Sequence, residues 1–418
     1  MTHDTSTQLA QPSAEVMRMI ERLIAFPTVS RDSNLGLIEW TRDYLAGLGV
    51  QSRLTYDATG KKANLFATAG GGSRPGLVLS GHTDVVPVEG QAWDTDPFKA
   101  TVVGDKLFGR GVADMKSYIA TALVMVPKYL AANADAPLHL ALSYDEEVGC
   151  IGVRGLIKDL TEMGLTTAGC IVGEPTMMQP IIAHKGSHRF RCCITGREAH
   201  SSYTTQGVNA IEYAARIIVY IRQMADRMAA LEARDYAFTV PYTTMQTGTI
   251  KGGLASNIVP KECEFQFEAR TMPGASADRL FQEIKDFAAT LLPEMQRIEP
   301  NAKIQLDAMA SAPGMSMQES DDIVKLAAAL SRNKANGAVS YGTEGGLFQQ
   351  AGIPTVICGP GDIEQAHRPN EFASLAQLAQ CEAFMLRLIE SESGTPTRGT
   401  AATHPHEQPA TSPSPCHP

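Results

Sequence analysis

The sequence lacks the patterns of several large protein classes. None of its eight cysteines forms a Cys-x-x-Cys pair, which is typical of reduced, buried thiols and not of a disulfide framework or zinc knuckle. Lysine and arginine do not cluster, and the net charge is -9, which argues against nucleic acid as the main partner. No stretch reaches the ~18–20 apolar residues of a membrane span, and residues 1–13 lack the apolar segment of a signal peptide. We therefore expect a soluble, cytoplasmic protein that binds neither nucleic acid nor membrane.

What the sequence does contain is the composition of a large globular protein. It has 418 residues, of which 44% are hydrophobic and 19% charged, enough for two or three domains at roughly 100–200 residues each. Short apolar runs alternate with loops and helical patterns, which predicts an α/β fold with a mostly parallel sheet and helices on both faces. From residue 186 the pattern changes to alternating strands, which is typical of a smaller α+β domain. The predicted parts are a main domain of residues 1–185 and 307–390, an inserted lid or dimerisation domain of residues 186–306, and a disordered tail of residues 391–418.

Helix and strand ends can be predicted from local signals. Ser13 is a candidate N-cap for a helix that stops before Pro27, and a Gly-rich loop opens a long apolar helix at Met115. Alternating apolar residues predict strands in the inserted domain. The remaining predicted elements are strands at 187–195 and 258–269 and helices near 207–230, 276–291, 321–332 and 373–389.

A histidine and a carboxylate mark the end of one predicted strand. The apolar run before Ser80 leads into Gly-His-Thr-Asp, which brings His82 and Asp84 to the carboxyl end of a buried strand. Residues two apart on an extended chain share a face, so this pair can serve a metal site in which Asp84 orients His82. Taken alone the motif is weak, because a hydrogen-bonded turn is the commoner explanation.

Further acidic residues and a second histidine follow other predicted elements. They are Asp114, Asp145, Glu146, Glu147, Glu174 and His367. So much negative charge at one sheet edge cannot be buried unless cations neutralise it. Oxygen and imidazole ligands suit zinc, cobalt or manganese, and their number suits two ions that share a carboxylate. Individually each acid can be a helix cap, as Asp114 can be at the start of the long helix, and His367 can be a packed loop histidine.

Taken together, the motifs around these residues resemble a known family. They are GHTDVVPV, GRGVADMK, SYDEEVGC, VGEPT, REAHSS, YGTEGGLF and EQAHRPNEF. From about residue 14 to 390 the chain resembles the co-catalytic metallopeptidases and deacylases related to carboxypeptidase G and succinyl-diaminopimelate desuccinylase. One departure is Ser117, where relatives usually have glycine, and it touches helix entry and not a ligand.

The resemblance implies a role for each candidate ligand. Asp114 would bridge two divalent ions. His82 and Glu174 would complete one site, and Glu147 and His367 the other. Asp84 would orient His82, and Glu146 would be the general base. The residues themselves support the last division, because neighbouring side chains such as Glu146 and Glu147 on an extended loop cannot aim at the same atom.

The resemblance also implies substrate-binding residues. In the inserted domain these are His200, Asn257 and Arg270, where the guanidinium of Arg270 can clamp a carboxylate. A surface ion pair explains Arg270 equally well, and a surface position explains His200. Thr343 and Glu344 are further candidates, with Glu344 as the partner of a cationic substrate side chain or, alternatively, as a carboxylate at a helix N-terminus.

The implied activity is metal-dependent hydrolysis of an N-acyl amino acid by a homodimer whose partner chain supplies His200. A rival class is a non-catalytic protein that has kept the fold, but such descendants usually lose a ligand or the base, and here every expected position is filled. Among enzymes, the open alternatives are desuccinylation of a diaminopimelate derivative and a broader aminoacylase or dipeptidase activity.

Overall fold

The computed structural model describes residues 11–393. Its helices are α1 (Ala14–Ile24), α2 (Leu35–Gly47), α3 (Lys116–Ala131), α4 (Val153–Glu162), α5 (Ala210–Leu231), α6 (Ala277–Gln296), α7 (Asp322–Ser331), α8 (Gly345–Gln350) and α9 (Leu375–Glu392). Its strands are β1 (Ser52–Tyr56), β2 (Ala63–Ala69), β3 (Gly76–His82), β4 (Thr101–Val103), β5 (Lys106–Phe108), β6 (Leu138–Ser143), β7 (Thr167–Pro175), β8 (Ile181–His184), β9 (Gly186–Thr195), β10 (Ala199–His200), β11 (Thr244–Gly252), β12 (Ile258–Val259), β13 (Glu262–Thr271), β14 (Lys303–Ala312), β15 (Met315–Ser316), β16 (Gly337–Val339), β17 (Thr355–Gly359) and β18 (Phe372–Ser374).

A nine-stranded sheet forms the larger part of the molecule. Its order is β1-β2-β6-β3-β7-β17-β8-β15, with β16 paired to β8. The central strands β6, β3, β7 and β17 run parallel, and antiparallel strands lie on both sides. All residues of β3, β6 and β17 are buried, as expected for parallel strands covered on both faces. The predicted α/β fold with a mostly parallel sheet is confirmed.

Two apolar layers cover the sheet. Helices α1, α2, α3, α7 and α9 pack on one face, where Leu77 and Leu79 of β3 point. Helices α4 and α8 pack on the other face with Val78. Ser13 caps α1 through its side chain, which accepts from the backbone N of Val16, as its sequence position predicts.

A second sheet with its own apolar core lies between Gly186 and Ala312. Its antiparallel order is β11-β13-β9-β14, and α5 and α6 pack on one face. Strand β14 ends at Ala312, so the predicted boundary at residue 306 falls inside a strand. The division into two domains stays a prediction.

Some elements differ from their predicted bounds. The run 258–269 is two strands, β12 and β13, separated by Pro260, which has no backbone N–H to donate to a ladder. Strands β11 and β14 were not predicted from the sequence, because these edge strands carry few buried residues and therefore show little alternation. Helix α9 runs to Glu392, and the rest of the predicted tail, residues 394–418, lies outside the described residues.

No helix between residues 11 and 393 has the length and apolar character required to cross a membrane.

Candidate metal centre

The predicted ligands come from strand ends that meet at one edge of the large sheet. His82 is the last residue of β3, Glu174 lies near the end of β7, and Glu146 and Glu147 follow β6. Because β6, β3 and β7 are parallel neighbours, their carboxyl ends share the edge where open α/β sheets bind ligands. Asp114 enters from the loop before α3, and His367 from the loop after β17.

One group of ligand atoms surrounds His82. Its Nε2 lies 2.9 Å from Oδ1 of Asp114 and 3.7 Å from Oε1 of Glu174. Its Nδ1 donates to the backbone O of Asp84 at 2.9 Å. This hydrogen bond leaves the Nε2 lone pair of a neutral imidazole directed at the carboxylates, which is the arrangement of a metal-binding histidine.

A second group surrounds His367. Its Nε2 lies 2.8 Å from Oε2 of Glu147 and 3.4 Å from Oδ2 of Asp114. The two oxygens of Asp114 therefore face two different imidazoles. A carboxylate placed in this way can bridge two ions.

The carboxylate of Asp84 serves the neighbouring loop more than His82. Its Oδ1 is 3.6 Å from His82 Nδ1, which is too long for a hydrogen bond. Instead the carboxylate accepts from Ser30 Oγ at 2.8 Å and from the backbone N of Glu146 and Glu147 at 3.1 and 3.3 Å. The residue orients His82 through its backbone carbonyl, and its side chain holds the loop that carries both glutamates.

Glu146 and Glu147 point to different partners. Glu147 contacts His367, while Oε1 of Glu146 accepts from the thiol of Cys150 at 3.2 Å. Two sets of three ligand atoms lie within 4.8 Å of one another, namely His82 with Asp114 and Glu147, and His82 with Glu146 and Glu174. Glu146 therefore lies close enough to His82 and Glu174 to reach the same ion.

Burial raises the pKa values of the clustered glutamates. The pKa of Glu146 is raised to about 8, by burial first and by the nearby charge of Glu147. Burial likewise raises the pKa of Glu147 to about 7 and that of Glu174 well above its ordinary value. Hydrogen bonds to Asp114 and Glu147 raise the pKa of His367 to about 10. Without a cation, the fold thus favours protonated, neutral glutamates.

The donor set fits divalent cations. Four carboxylates and two imidazoles converge, and the contacts among them pair donors and acceptors only if some groups carry protons. Divalent ions remove this requirement by binding the carboxylates in their charged form. Oxygen and imidazole donors without thiolate are the ligands of zinc, cobalt and manganese enzymes.

We expect the metal-free protein to lose stability as the pH rises from about 5 to 7. A carboxyl whose pKa is raised by folding binds more protons in the folded state, so its contribution is complete below its unfolded pKa and disappears as the pH rises through the folded value. Glu146 and Glu147 have ordinary pKa values of 4.5 and folded values of about 8 and about 7, which sets this window. Above pH 7, Lys116, whose pKa burial lowers to about 7, acts in the opposite direction.

Calorimetric melting of chelator-treated and metal-loaded protein across this range tests the expectation. The Tm of the metal-free form should fall with pH, and that of the loaded form should not. A metal-free Tm that rises from pH 5 to 7 would show that the glutamates are not protonated in the folded state.

His200 and Asn257 lie together, apart from the ligands. Strand β10 pairs His200 with Ile258 of β12, and the backbone O of Asn257 accepts from Ser201 N at 3.0 Å. The ring of His200 is exposed and accepts from Ser202 N through Nδ1 at 3.1 Å. All the contacts described for His200 are with its own sheet region.

Arg270 lies on the helix-free face of the small sheet. Its Nη2 is 3.5 Å from Oε2 of Glu268, and its side chain is 33% exposed. This is the weak surface ion pair that the sequence left open, but the guanidinium retains free donors.

Thr343 and Glu344 are fully buried. Thr343 Oγ1 accepts from Gly345 N at 2.9 Å at the start of α8. The Glu344 carboxylate accepts from Ser80 Oγ at 3.4 Å and from Ser143 Oγ, and makes no helix-capping bond. Burial raises the pKa of Glu344 to about 7. The helix-cap alternative for Glu344 is therefore wrong, since Thr343 makes the capping bond and the Glu344 side chain turns to the serines of β3 and β6.

Several residues near the centre were not identified from the sequence. Lys62 pairs with Asp145, which explains why this acid does not join the cluster. Arg189 of β9 donates from Nη2 to the backbone O of Glu147 at 3.3 Å and makes no ion pair with the residues between 11 and 393. Its position is diagonal to Arg270, whose partner on β9 is Ser187. The only local signal for Arg189 was an exposed position on an alternating strand.

Comparisons with known proteins agree with this geometry. A family model, "Peptidase family M20/M25/M40", matches residues 78–391, which include all the predicted ligands. A Myxococcus xanthus protein named acetylornithine deacetylase is 35% identical over 379 residues, 88% of this chain and 95% of the relative. A Pasteurella multocida protein of the same name is 34% identical over 381 residues, 89% of this chain and 97% of the relative.

Solved structures share the fold at low identity. An M20 family metallo-carboxypeptidase from Sulfolobus solfataricus matches with a TM-score of 0.72 at 16% identity, covering 91% of this chain and 100% of that chain. A Bacillus subtilis protein described as a dinuclear metal binding peptidase from the M20 family matches with a TM-score of 0.61 at 14% identity, covering 90% of this chain and 98% of that chain. With the family model and the curated relatives spanning most of its length, this chain belongs to peptidase family M20/M25/M40.

Proposed function

We propose that the protein is a metal-dependent amidohydrolase that converts N2-acetyl-L-ornithine to L-ornithine and acetate in arginine biosynthesis. The observation that carries the proposal is the cluster of six ligand residues with a glutamate beside it, within a chain about 35% identical to relatives named acetylornithine deacetylase. A scaffold protein without activity has no use for both a complete ligand set and an adjacent base.

Two divalent ions, zinc foremost with cobalt or manganese as alternatives, would be held by five residues. His82 and Glu174 would bind one ion, Glu147 and His367 the other, and Asp114 both. This assignment is supported by the two Asp114 oxygens, which face different imidazoles. When bound, such ions act as Lewis acids toward the amide carbonyl and lower the pKa of water.

Glu146 would move the protons of the reaction. Its carboxylate takes a proton from the attacking water and returns it to the nitrogen of the leaving amine. Burial raises its pKa to about 8 in the metal-free protein, and a pKa near the working pH suits a group that must both accept and donate. Asp84 supports it by accepting from the Glu146 backbone N at 3.1 Å.

The small sheet would bind the amino-acid part of the substrate. The free donors of Arg270 can clamp the α-carboxylate in bidentate fashion. His200 would donate a hydrogen bond to the carbonyl oxygen as negative charge develops there, with Asn257 beside it. Because the contacts described for His200 are all local, we propose that it reaches the site of a partner chain in a homodimer.

We also propose a cytoplasmic location. The seven cysteines among residues 11–393 are all unpaired, and six of them are buried, which suits a reducing compartment.

The substrate can be tested by comparing N-acetyl-ornithine with N-acetyl-norvaline, which keeps the carbon chain and lacks the amine. We expect a higher kcat/KM for N-acetyl-ornithine, because a cation entering a partly desolvated cleft requires an anionic partner, for which Glu344 is the candidate. The preference should shrink in Glu344→Gln. Equal values for the two substrates in the wild type would remove Glu344 from substrate recognition.

Arg189 favours one alternative, succinyl-diaminopimelate as substrate. A succinyl group brings a second carboxylate, and Arg189 places an unpaired guanidinium against the loop of Glu147. If this substrate is turned over faster than N-acetyl-ornithine, and if Arg189→Ala removes that advantage, the alternative replaces the proposal.

A further inference from the structure

Glu371 is a buried carboxylate that the proposed reaction does not use. Its Oε1 accepts from three backbone N–H groups of the loop that carries Asp114, those of Gly111 at 3.0 Å, Ala113 at 2.8 Å and Asp114 at 3.1 Å. Its backbone O accepts from Gly109 N at 3.1 Å. One residue near the end of the chain therefore fixes the whole turn that aims Asp114.

The same carboxylate is connected to His367 by two further side chains. Oε2 of Glu371 accepts from Nη1 of Arg110 at 2.6 Å, and Nη2 of Arg110 donates to Oε1 of Gln91 at 2.7 Å. Nε2 of Gln91 donates to the backbone O of His367 at 2.9 Å. Hydrogen bonds thus run without interruption from the Asp114 backbone through Glu371, Arg110 and Gln91 to the His367 backbone.

Neighbouring contacts stiffen this path. The ring of Trp93 lies 5.1 Å from the guanidinium carbon of Arg110, and its Nε1 donates to Gln91 at 3.1 Å. Asn370 exchanges two hydrogen bonds of 2.8 Å with Asp94. His367 itself has φ = +66°, a conformation that a residue with a side chain keeps only when its surroundings hold it there.

The path serves one metal position and not the other. Asp114 and His367 come from two loops, whereas His82 and Glu174 are fixed by the ladders of the parallel strands β3 and β7. The side chain of His367 is 54% exposed, so little packing holds it. Its distance from Asp114 therefore depends on the loop contacts.

We propose that Glu371 is a positioning residue that, through Arg110 and Gln91, sets the spacing of Asp114 and His367 and so determines the affinity of the second ion. This inference rests on the proposed two-ion centre. It assigns a role to a carboxylate that touches neither ion nor substrate.

Zinc binding to the full-length chain tests it. Metal-loaded wild type, Glu371→Gln and Gln91→Ala are dialysed against buffers of fixed free Zn²⁺, and bound zinc per chain is measured. We expect one of the two ions to bind about 10–100-fold more weakly in both variants, the usual cost of removing an outer partner of a ligand, while the other ion binds as in wild type. The double variant should lose little more than the worse single variant, because both break one path.

Glu382→Gln is the matched control. Glu382 is also buried and accepts from a backbone N–H, that of Ser13 at 2.7 Å, but belongs to α9 and not to the centre. It should leave both affinities unchanged. Gln91 is only half-buried, so its variant keeps the test open if Glu371→Gln does not fold.

Equal weakening of both ions in Gln91→Ala, or no weakening of either, would overturn the inference. A wild type that binds fewer than two ions would instead overturn the proposed centre itself, so measuring the wild type first distinguishes the two failures.

Discussion

Replacing Glu146 with glutamine is expected to lower kcat by roughly 10²–10⁴-fold, the range for loss of a general base, while two ions remain bound per chain. The amide cannot accept a proton from water at neutral pH. Because the substitution preserves shape, the loop held by Asp84 through the backbone N–H groups of Glu146 and Glu147 should be undisturbed. Steady-state kinetics together with metal analysis of the same samples measures both quantities.

The metal count decides between two roles for Glu146. It lies within ligand distance of His82 and Glu174, so loss of one ion in Glu146→Gln would make it a ligand, and the base would have to be sought elsewhere. Asp145→Asn is the control, because Asp145 has the same chemistry one residue earlier but pairs with Lys62. We expect its kcat to stay within a few-fold of wild type, on the scale of a half-exposed ion pair.

Removing the imidazole of His200 is expected to lower kcat by roughly 10²–10³-fold, the cost of losing one donor to a developing oxyanion. Metal content should not change, because His200 is exposed and lies in the small sheet region, away from the ligands. Near-normal kcat with normal metal content would remove His200 from the mechanism. His184 is an unsuitable control, because its buried ring accepts from Gly346 N at 3.1 Å and supports the fold.

Mixing two inactive variants tests whether His200 acts across a dimer. If the partner chain supplies it, exchange of subunits between His200→Ala and Glu146→Gln creates one complete site in each mixed dimer. Half of the dimers are then mixed and half of their sites complete, so activity should recover to about a quarter of wild type, given a two-fold symmetric pair. No recovery, with subunit exchange verified, would place His200 in the site of its own chain.

The sequence by itself determined the fold class and the composition of the metal centre. Buried parallel strands announce themselves as short apolar runs, and their carboxyl ends must meet at one edge. The residues after Leu79, Leu142 and Val172 could therefore be grouped from the strand pattern alone. The family motifs added Asp114 and His367, which local patterns alone left as a helix cap and a loop histidine.

Only the tertiary structure decided how individual side chains are used. The Asp84 carboxylate holds the glutamate loop, Glu344 is buried against two serines, and Glu371 grips the Asp114 turn. Glu371 meets residues about 260 positions away, and no local pattern encodes such a distance. The sequence dictates which groups reach the sheet edge because strand patterns are local, but the oxygen that each donor meets depends on strand register and on loops packed from distant parts of the chain.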